Sequence, residues 1–258
     1  MIRGIYAVMV LDLKRFWLDR ARLVTGLAQP LLYLFVLGAG IGSSSQLGGD
    51  YQRFIFPGVL ALSMLFTATF AAISIVFDRQ IGFFKAVLVA PLPRPAIALG
   101  KIGSGAVQAA IQGAVVLPFA PFVGMRMNVS EVAGLVGAML LACVTFSAIG
   151  FAFAARFKSV TVFPIVSNAV LLPMFFLSGA LYPLQQAPHW MQVAAHADPV
   201  AYAVDLMRGA VLGRHFFAVP MSLAVQGAVI AALVYSGVRV IKRGEDDSGL
   251  GASKFPWK

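Results

Sequence analysis

The sequence is short of what a soluble protein uses to face water. Charged residues fill 12% of its 258 positions while 60% are hydrophobic, against about 25% and 45–50% in a typical soluble domain. The mean hydropathy of +0.86 is too high for one water-soluble core. The chain therefore reads as an all-α integral membrane protein with a single membrane domain. There is one cysteine, Cys143, which excludes an intrachain disulfide and is read as a small packing residue in mid-span. The middles of the apolar runs hold almost no ionisable groups. That argues against an ion-coupled carrier, which needs charge at membrane depth. No phosphate-binding loop is present. Gly100-Lys101 comes nearest, but Ile102 stands where Ser or Thr is needed and Pro95 where the first glycine belongs. If ATP drives this chain, another polypeptide supplies the ATPase, and no cofactor, metal site or catalytic residue is expected here. An intramembrane hydrolase would have to use Ser178, His189 and His196. All lie in or near one broken segment, and an interfacial role beside Trp190 is preferred for the histidines.

What is present is organised as apolar runs between short polar breaks. Residues 1–22 hold an amphipathic helix pattern with Ile2, Tyr6, Met9, Val10, Leu13 and Trp17 on one face and Asp12, Arg15 and Asp19 on the other. It is read as an interfacial helix lying flat, since charges interrupt the apolar part in a way a signal peptide does not tolerate. Six spans are expected at about 23–41, 54–77, 102–123, 132–155, 160–177 and 219–240, followed by a polar tail at 244–258. Pro30 is expected to kink the first. Gly103, Gly105, Ala109 and Gly113 offer close helix packing in the third. Asn128 and Glu131 form a capping pattern opening the fourth.

Residues 178–218 are too broken for a span and too apolar for a free loop. Pro188 starts one short helix, and Asp198-Pro199 caps a second with Tyr202 and Leu206 on its apolar stripe. Asp205 and Arg208 are spaced to pair on it. A re-entrant helical hairpin between spans five and six is preferred over a loop resting on the surface. Basic residues crowd the side of the termini, including Lys14, Arg15, Arg79, Lys85, Lys101, Arg156 and Lys242. Only Arg53, Arg126, Arg208 and Arg214 fall on the other side. This bias puts both termini in the cytoplasm and argues against nucleic acid as the reason for the net charge of +10.

Residues 78–101 form the longest polar break in the first half. Asp78 is expected to cap a short helix carrying Ile81, Phe84 and Leu88, which Pro91 ends. Both a docking surface for a cytosolic protein and an ordinary solvated loop fit that pattern.

Four segments in order, the N-terminal helix, FDRQIGFFKAVLVAPLPR, LSGALYP and ADPVAYAVDLMRG, resemble the membrane subunit of the type-2 ABC exporter family, which includes half-size drug-resistance, Nod-factor and polysaccharide permeases. The likeness spans nearly the whole chain. One departure is Asp198, where relatives often carry Asn. The resemblance implies a permease subunit that moves an amphiphilic substrate outward through the inner membrane. It implies a second membrane subunit, expected as a homodimer, and separate cytosolic ATPase subunits that bind ATP and Mg. Carried over by position, Asp78, Arg79, Gly82, Phe83 and Lys85 form the coupling helix. Phe66, Phe70, Phe175 and Phe176 line the pathway, and Tyr182 and Pro183 shape the outer gate. A channel or scaffold that needs no ATP is the alternative.

Overall fold

The computed structural model describes residues 2–40, 50–80, 94–157 and 159–246, and every regular element among them is helical. Helix α1 (Ile2–Leu18) stops at Asp19, and α2 (Arg20–Leu32) follows and widens into a π turn at Tyr33–Leu37 just beyond Pro30. Proline removes a backbone donor and crowds the carbonyl one turn back, so irregular winding beside it has a local cause. Helices α3 (Asp50–Ala71) and α4 (Ile73–Gln80) meet at a turn at Ala72. Helix α5 (Arg94–Val116) tightens into a 3-10 segment at Leu117–Val123. Pro118 and Pro121 supply no N–H for the α pattern there, and Gly124 ends the segment at φ 74. Then come α6 (Val129–Arg156), α7 (Val162–Leu177), a 3-10 turn (Leu184–Gln186), α8 (His189–Ala197), α9 (Pro199–Leu212) and α10 (Val219–Asp246).

Helices α3, α5 and α6 pack on one another; α9 and α10 pack on α6, and α1 lies along α5. The most apolar window of α3 and α4 is 78% buried and that of α10 is 17% buried, so α3 is the central post and α10 sits at the periphery. In lipid, helices associate through close packing and hydrogen bonds rather than hydrophobic transfer. The small residues serve that purpose. A Cβ on Gly150 of α6 would lie 2.6 Å from Thr69 Cα of α3, and one on Gly103 of α5 would lie 3.0 Å from the Met9 sulfur of α1. Between helices, Ser147 Oγ donates to the Ile102 carbonyl at 2.7 Å and Thr145 Oγ1 to Gln226 Oε1 at 2.9 Å.

Among the described residues, four helical stretches are long and apolar enough to cross a membrane: Tyr51–Asp78, Ala96–Val123, Val129–Arg156 and Val219–Arg239. They match the second, third, fourth and sixth expected spans. The first and fifth correspond to shorter apolar helices, Gly26–Gly40 and Val162–Leu177. The Asn128–Glu131 capping box forms as the sequence suggests, with Asn128 accepting from the Glu131 N–H at 2.9 Å and Glu131 accepting from the Asn128 N–H at 3.0 Å.

The broken segment holds the two short helices α8 and α9. Ser178 ends α7, and Gly179 takes a left-handed φ of 73 directly above Leu184, where a side chain would collide. Asp198 caps α9 by accepting from the Val200 N–H at 2.9 Å.

Candidate functional site

The spans are joined at one end by a buried ion cluster that periodicity alone does not reveal. Lys101 of α5 spends all three ammonium protons on neighbours: Asp12 Oδ1 of α1 at 3.0 Å, Asp78 Oδ2 of α4 at 3.0 Å and Ser74 Oγ at 3.1 Å. The second oxygen of Asp12 accepts from Ser104 Oγ at 3.0 Å, and that of Asp78 from Arg15 at 3.1 Å. The side chains of Lys101, Asp12 and Asp78 are 8%, 4% and 6% exposed, whereas Arg15 is 42% exposed at the rim. Such a cluster is tolerated because opposite charges are in contact and each carboxylate oxygen has a partner.

This arrangement corrects the expectation for Asp78. Asp78 does not stand ahead of a helix as its cap; it lies within the last full turn of α4, where its carboxylate meets Lys101 and Arg15. Asp12, on the polar face of α1, is buried. Helix α1 packs on the protein through Asp12 together with Val8, Met9 and Phe16, while Arg15 stays at the rim and Tyr6, Trp17 and Leu18 are 69%, 67% and 83% exposed. Arg79 is also in α4, while Gly82, Phe83 and Lys85, with the helix expected through Ile81, Phe84 and Leu88, lie outside the described residues.

The expected pathway residues are not all together. Phe66 and Phe70 of α3, with ring centroids 5.8 Å apart, line a cavity of about 180 Å³ with Gly26, Gln29 and Pro30 of α2 and Ser63 and Thr67 of α3. Phe175 is fully buried, with Tyr33 edge-on at 6.3 Å, so in this conformation it packs rather than lines a path. Its neighbour Phe176 is exposed. Nor does a hydrolase constellation form: Ser178 Oγ donates to the Phe175 carbonyl, the ring of His196 packs edge-on to Phe217, and His189 is exposed.

At the end opposite the ion cluster, the 178–183 turn is held from three sides. Tyr51 donates to the Leu181 carbonyl at 3.0 Å, Arg208 Nη2 donates to the Gly179 carbonyl at 2.9 Å, and Gly58 of α3 abuts Ala180. Pro183 starts the following 3-10 turn, and Tyr182 is half-buried beside it. Asp205 and Arg208, expected to pair with each other, engage different partners. Asp205 accepts from the Phe216 and Phe217 N–H groups at 2.7 and 3.2 Å, tying α9 to the loop that leads into α10. Arg208 turns the other way, to the Gly179 carbonyl and over the Phe54 ring at 3.9 Å. Between them opens a cavity of about 510 Å³, with Arg53, Arg208 and Arg214 among its walls. Burial pulls Arg208 down to about 10 while the Asp205 charge raises it, so the guanidinium stays charged at neutral pH.

The α9 cap makes a pH dependence. Burial pushes the Asp198 carboxyl up to about 7, against the Val200 hydrogen bond that lowers it. Because the folded value is raised, its contribution is fully present below about 4 and is lost as pH rises through about 7. Thermal unfolding at pH 5 and pH 8 should differ by on the order of 2 kcal/mol more in the native chain than in Asp198→Asn, which cannot ionise. Equal pH slopes in the two proteins would refute this.

Residues 3–212 match the family model described as ABC-2 type transporter. Nodulation protein J of Rhizobium leguminosarum bv. trifolii is 34% identical over 197 residues, 75% of each chain. Nodulation protein J of Neorhizobium galegae is 27% identical over 230 residues, 86% of each. The inner membrane transport permease YadH of Escherichia coli (strain K12) is 27% identical over 253 residues, covering 94% of this chain and 95% of that one.

Proposed function

Because this chain belongs to the ABC-2 type transporter family, we propose that it is the permease subunit of an ATP-driven exporter moving an amphiphilic drug, lipid or glycan out of the cytoplasm. It is a multipass membrane transport permease of the inner membrane, in keeping with the relative of that description. Two copies pair around the pathway, and separate ATPase subunits carry the ATP and Mg. The basic-residue bias supports a cytoplasmic side for the termini, the ion cluster and residues 81–93. Helix α2 and α7 complete six spans, and the α8–α9 hairpin re-enters the outer leaflet.

The observation that carries this reading is the Asp12–Lys101–Asp78 cluster. It ties α1, α4 and α5 together at both roots of the 81–93 segment. A push on that segment therefore reaches two spans and the interfacial helix as one body instead of bending a loop. Coupling then runs through Arg79, Gly82, Phe83 and Lys85 as the contacted surface, with Asp78 as its anchor.

A tagged full-length chain drawn from native membranes is expected to bring a stoichiometric ABC ATPase and to hydrolyse no ATP once stripped of it. Arg79→Glu and Lys85→Glu are each expected to lower transport at least tenfold with normal membrane insertion. Turnover of ATP by the pure chain, or unchanged ATPase binding and transport in both variants, would overturn the reading. Solute conduction with no ATPase bound would instead favour a channel.

A further inference from the structure

The basic residues of this chain avoid one side of the bundle, with only Arg53, Arg126, Arg208 and Arg214 as exceptions. The fold brings three of these four to the wall of one cavity, at the end away from the ion cluster. They arrive from separate places: Arg53 from the start of α3, Arg208 from α9 and Arg214 from the turn after α9. Charge bias alone gives no reason for arginines on that side to converge.

The cavity has the make-up of a binding site. Its volume is about 510 Å³, within the usual range for small-molecule pockets. Phe54, Leu184, Leu212 and Phe216 give it apolar wall, and Gln185 and Gln186 add neutral hydrogen-bonding groups. Arg208 is 7% exposed, and its Nε lacks a hydrogen-bond partner among the described residues. A buried charged donor left unpaired costs free energy unless a ligand completes it. The single carboxylate at the wall, Asp205, already accepts from two backbone N–H groups and lies 3.5 Å from His215 Nδ1. Three arginines therefore line the cavity, and the unpartnered Nε of the buried Arg208 is the donor that a ligand there would complete.

We propose that this cavity binds a phosphate group, with the apolar wall receiving the chain or ring that bears it. Guanidinium suits this because its planar fork matches the geometry of phosphate oxygens. The site rests on the exporter reading only for its meaning: a phosphorylated amphiphile held here would be cargo at the exit or a lipid that stabilises the closed gate. The binding itself does not depend on ATP or on the partner subunit.

The test uses the full chain in phosphatidylcholine nanodiscs, without any ATPase. Lysophosphatidic acid, inorganic phosphate and uncharged monoacylglycerol are titrated in parallel. Lysophosphatidic acid is expected to bind at least tenfold more tightly than monoacylglycerol. Arg214→Gln, an exposed position, should weaken it about fivefold to tenfold with unchanged thermal stability. Arg208→Lys keeps the charge without the fork and should weaken it as well. Competition by inorganic phosphate would identify the free anion as a sufficient ligand; its failure to compete would assign the site to an amphiphile. Equal binding of lysophosphatidic acid and monoacylglycerol, or full affinity in Arg214→Gln, would overturn the proposal. Either result would leave the exporter reading intact, since that stands on copurification and transport.

Discussion

Lys101→Met is expected to destabilise the protein by about 3–5 kcal/mol, the range for removing one partner of a buried ion pair. The loss exceeds that of an ordinary surface lysine because two buried carboxylates, Asp12 and Asp78, are stranded together. Arg15→Met, at the half-exposed rim of the same cluster, should cost about 1 kcal/mol or less. The informative variant is the triple change Asp12→Asn, Asp78→Asn and Lys101→Met, which removes every charge of the core trio and should recover most of the stability. Thermal unfolding in detergent reads all three. Transport by the triple variant separates two roles for the cluster. Restored stability with transport still lost would mean that the charges carry motion as well as holding the helices. A Lys101→Met protein as stable as the native one would remove the cluster from any account of the fold.

The second large effect is expected at Gly58. An added Cβ there would stand 2.5 Å from the Ala180 carbonyl oxygen and 2.8 Å from Ala180 Cβ. The obstacle is chiefly backbone, and that backbone is fixed from the far side by Arg208 and Tyr51. Neither partner gives way cheaply, so Gly58→Ala should cost about 1–3 kcal/mol and Gly58→Val more. Gly137→Ala and Gly227→Ala serve as controls, because a Cβ at either meets nothing within 4 Å. Both should unfold within about 0.5 kcal/mol of the native protein. If Gly58→Ala behaves like these controls, α3 and the 178–183 turn move apart freely, and the turn is no rigid stop at the exit.

Much of the fold was legible because membrane spans are written in length and hydropathy, and helix starts in local chemistry. The Asn128–Glu131 box and the Asp198–Pro199 start depend on residues within one turn of each other, and both form. The shortfall came where a residue's surroundings are set by distant segments. Asp12 sits opposite the apolar stripe of α1, and for a helix on a soluble protein that means solvent. Here Asp12 is buried alongside Phe16, while Tyr6 and Trp17 of the apolar stripe face outward. Lys101 resembled a charge flanking a span until α1 and α4 were laid beside it. Asp205 and Arg208 show the same limit in miniature. Their spacing allowed a pair, but stronger claims came from the 213–218 loop and the 178–183 turn. The arginine cavity could have been suspected from the four exceptions to the basic bias, though only folding shows which three meet.

Cys143 has a practical value that its packing role conceals. It is 1% exposed, with its sulfur 3.5 Å from that of Met64 in the core between α6 and α3, and it is the sole thiol in the sequence. Maleimide reagents added to intact cells have no route to it. A cysteine engineered at position 85 or 185 would then be the one reactive group in the molecule, and the topology of either end could be mapped without first preparing a thiol-free background.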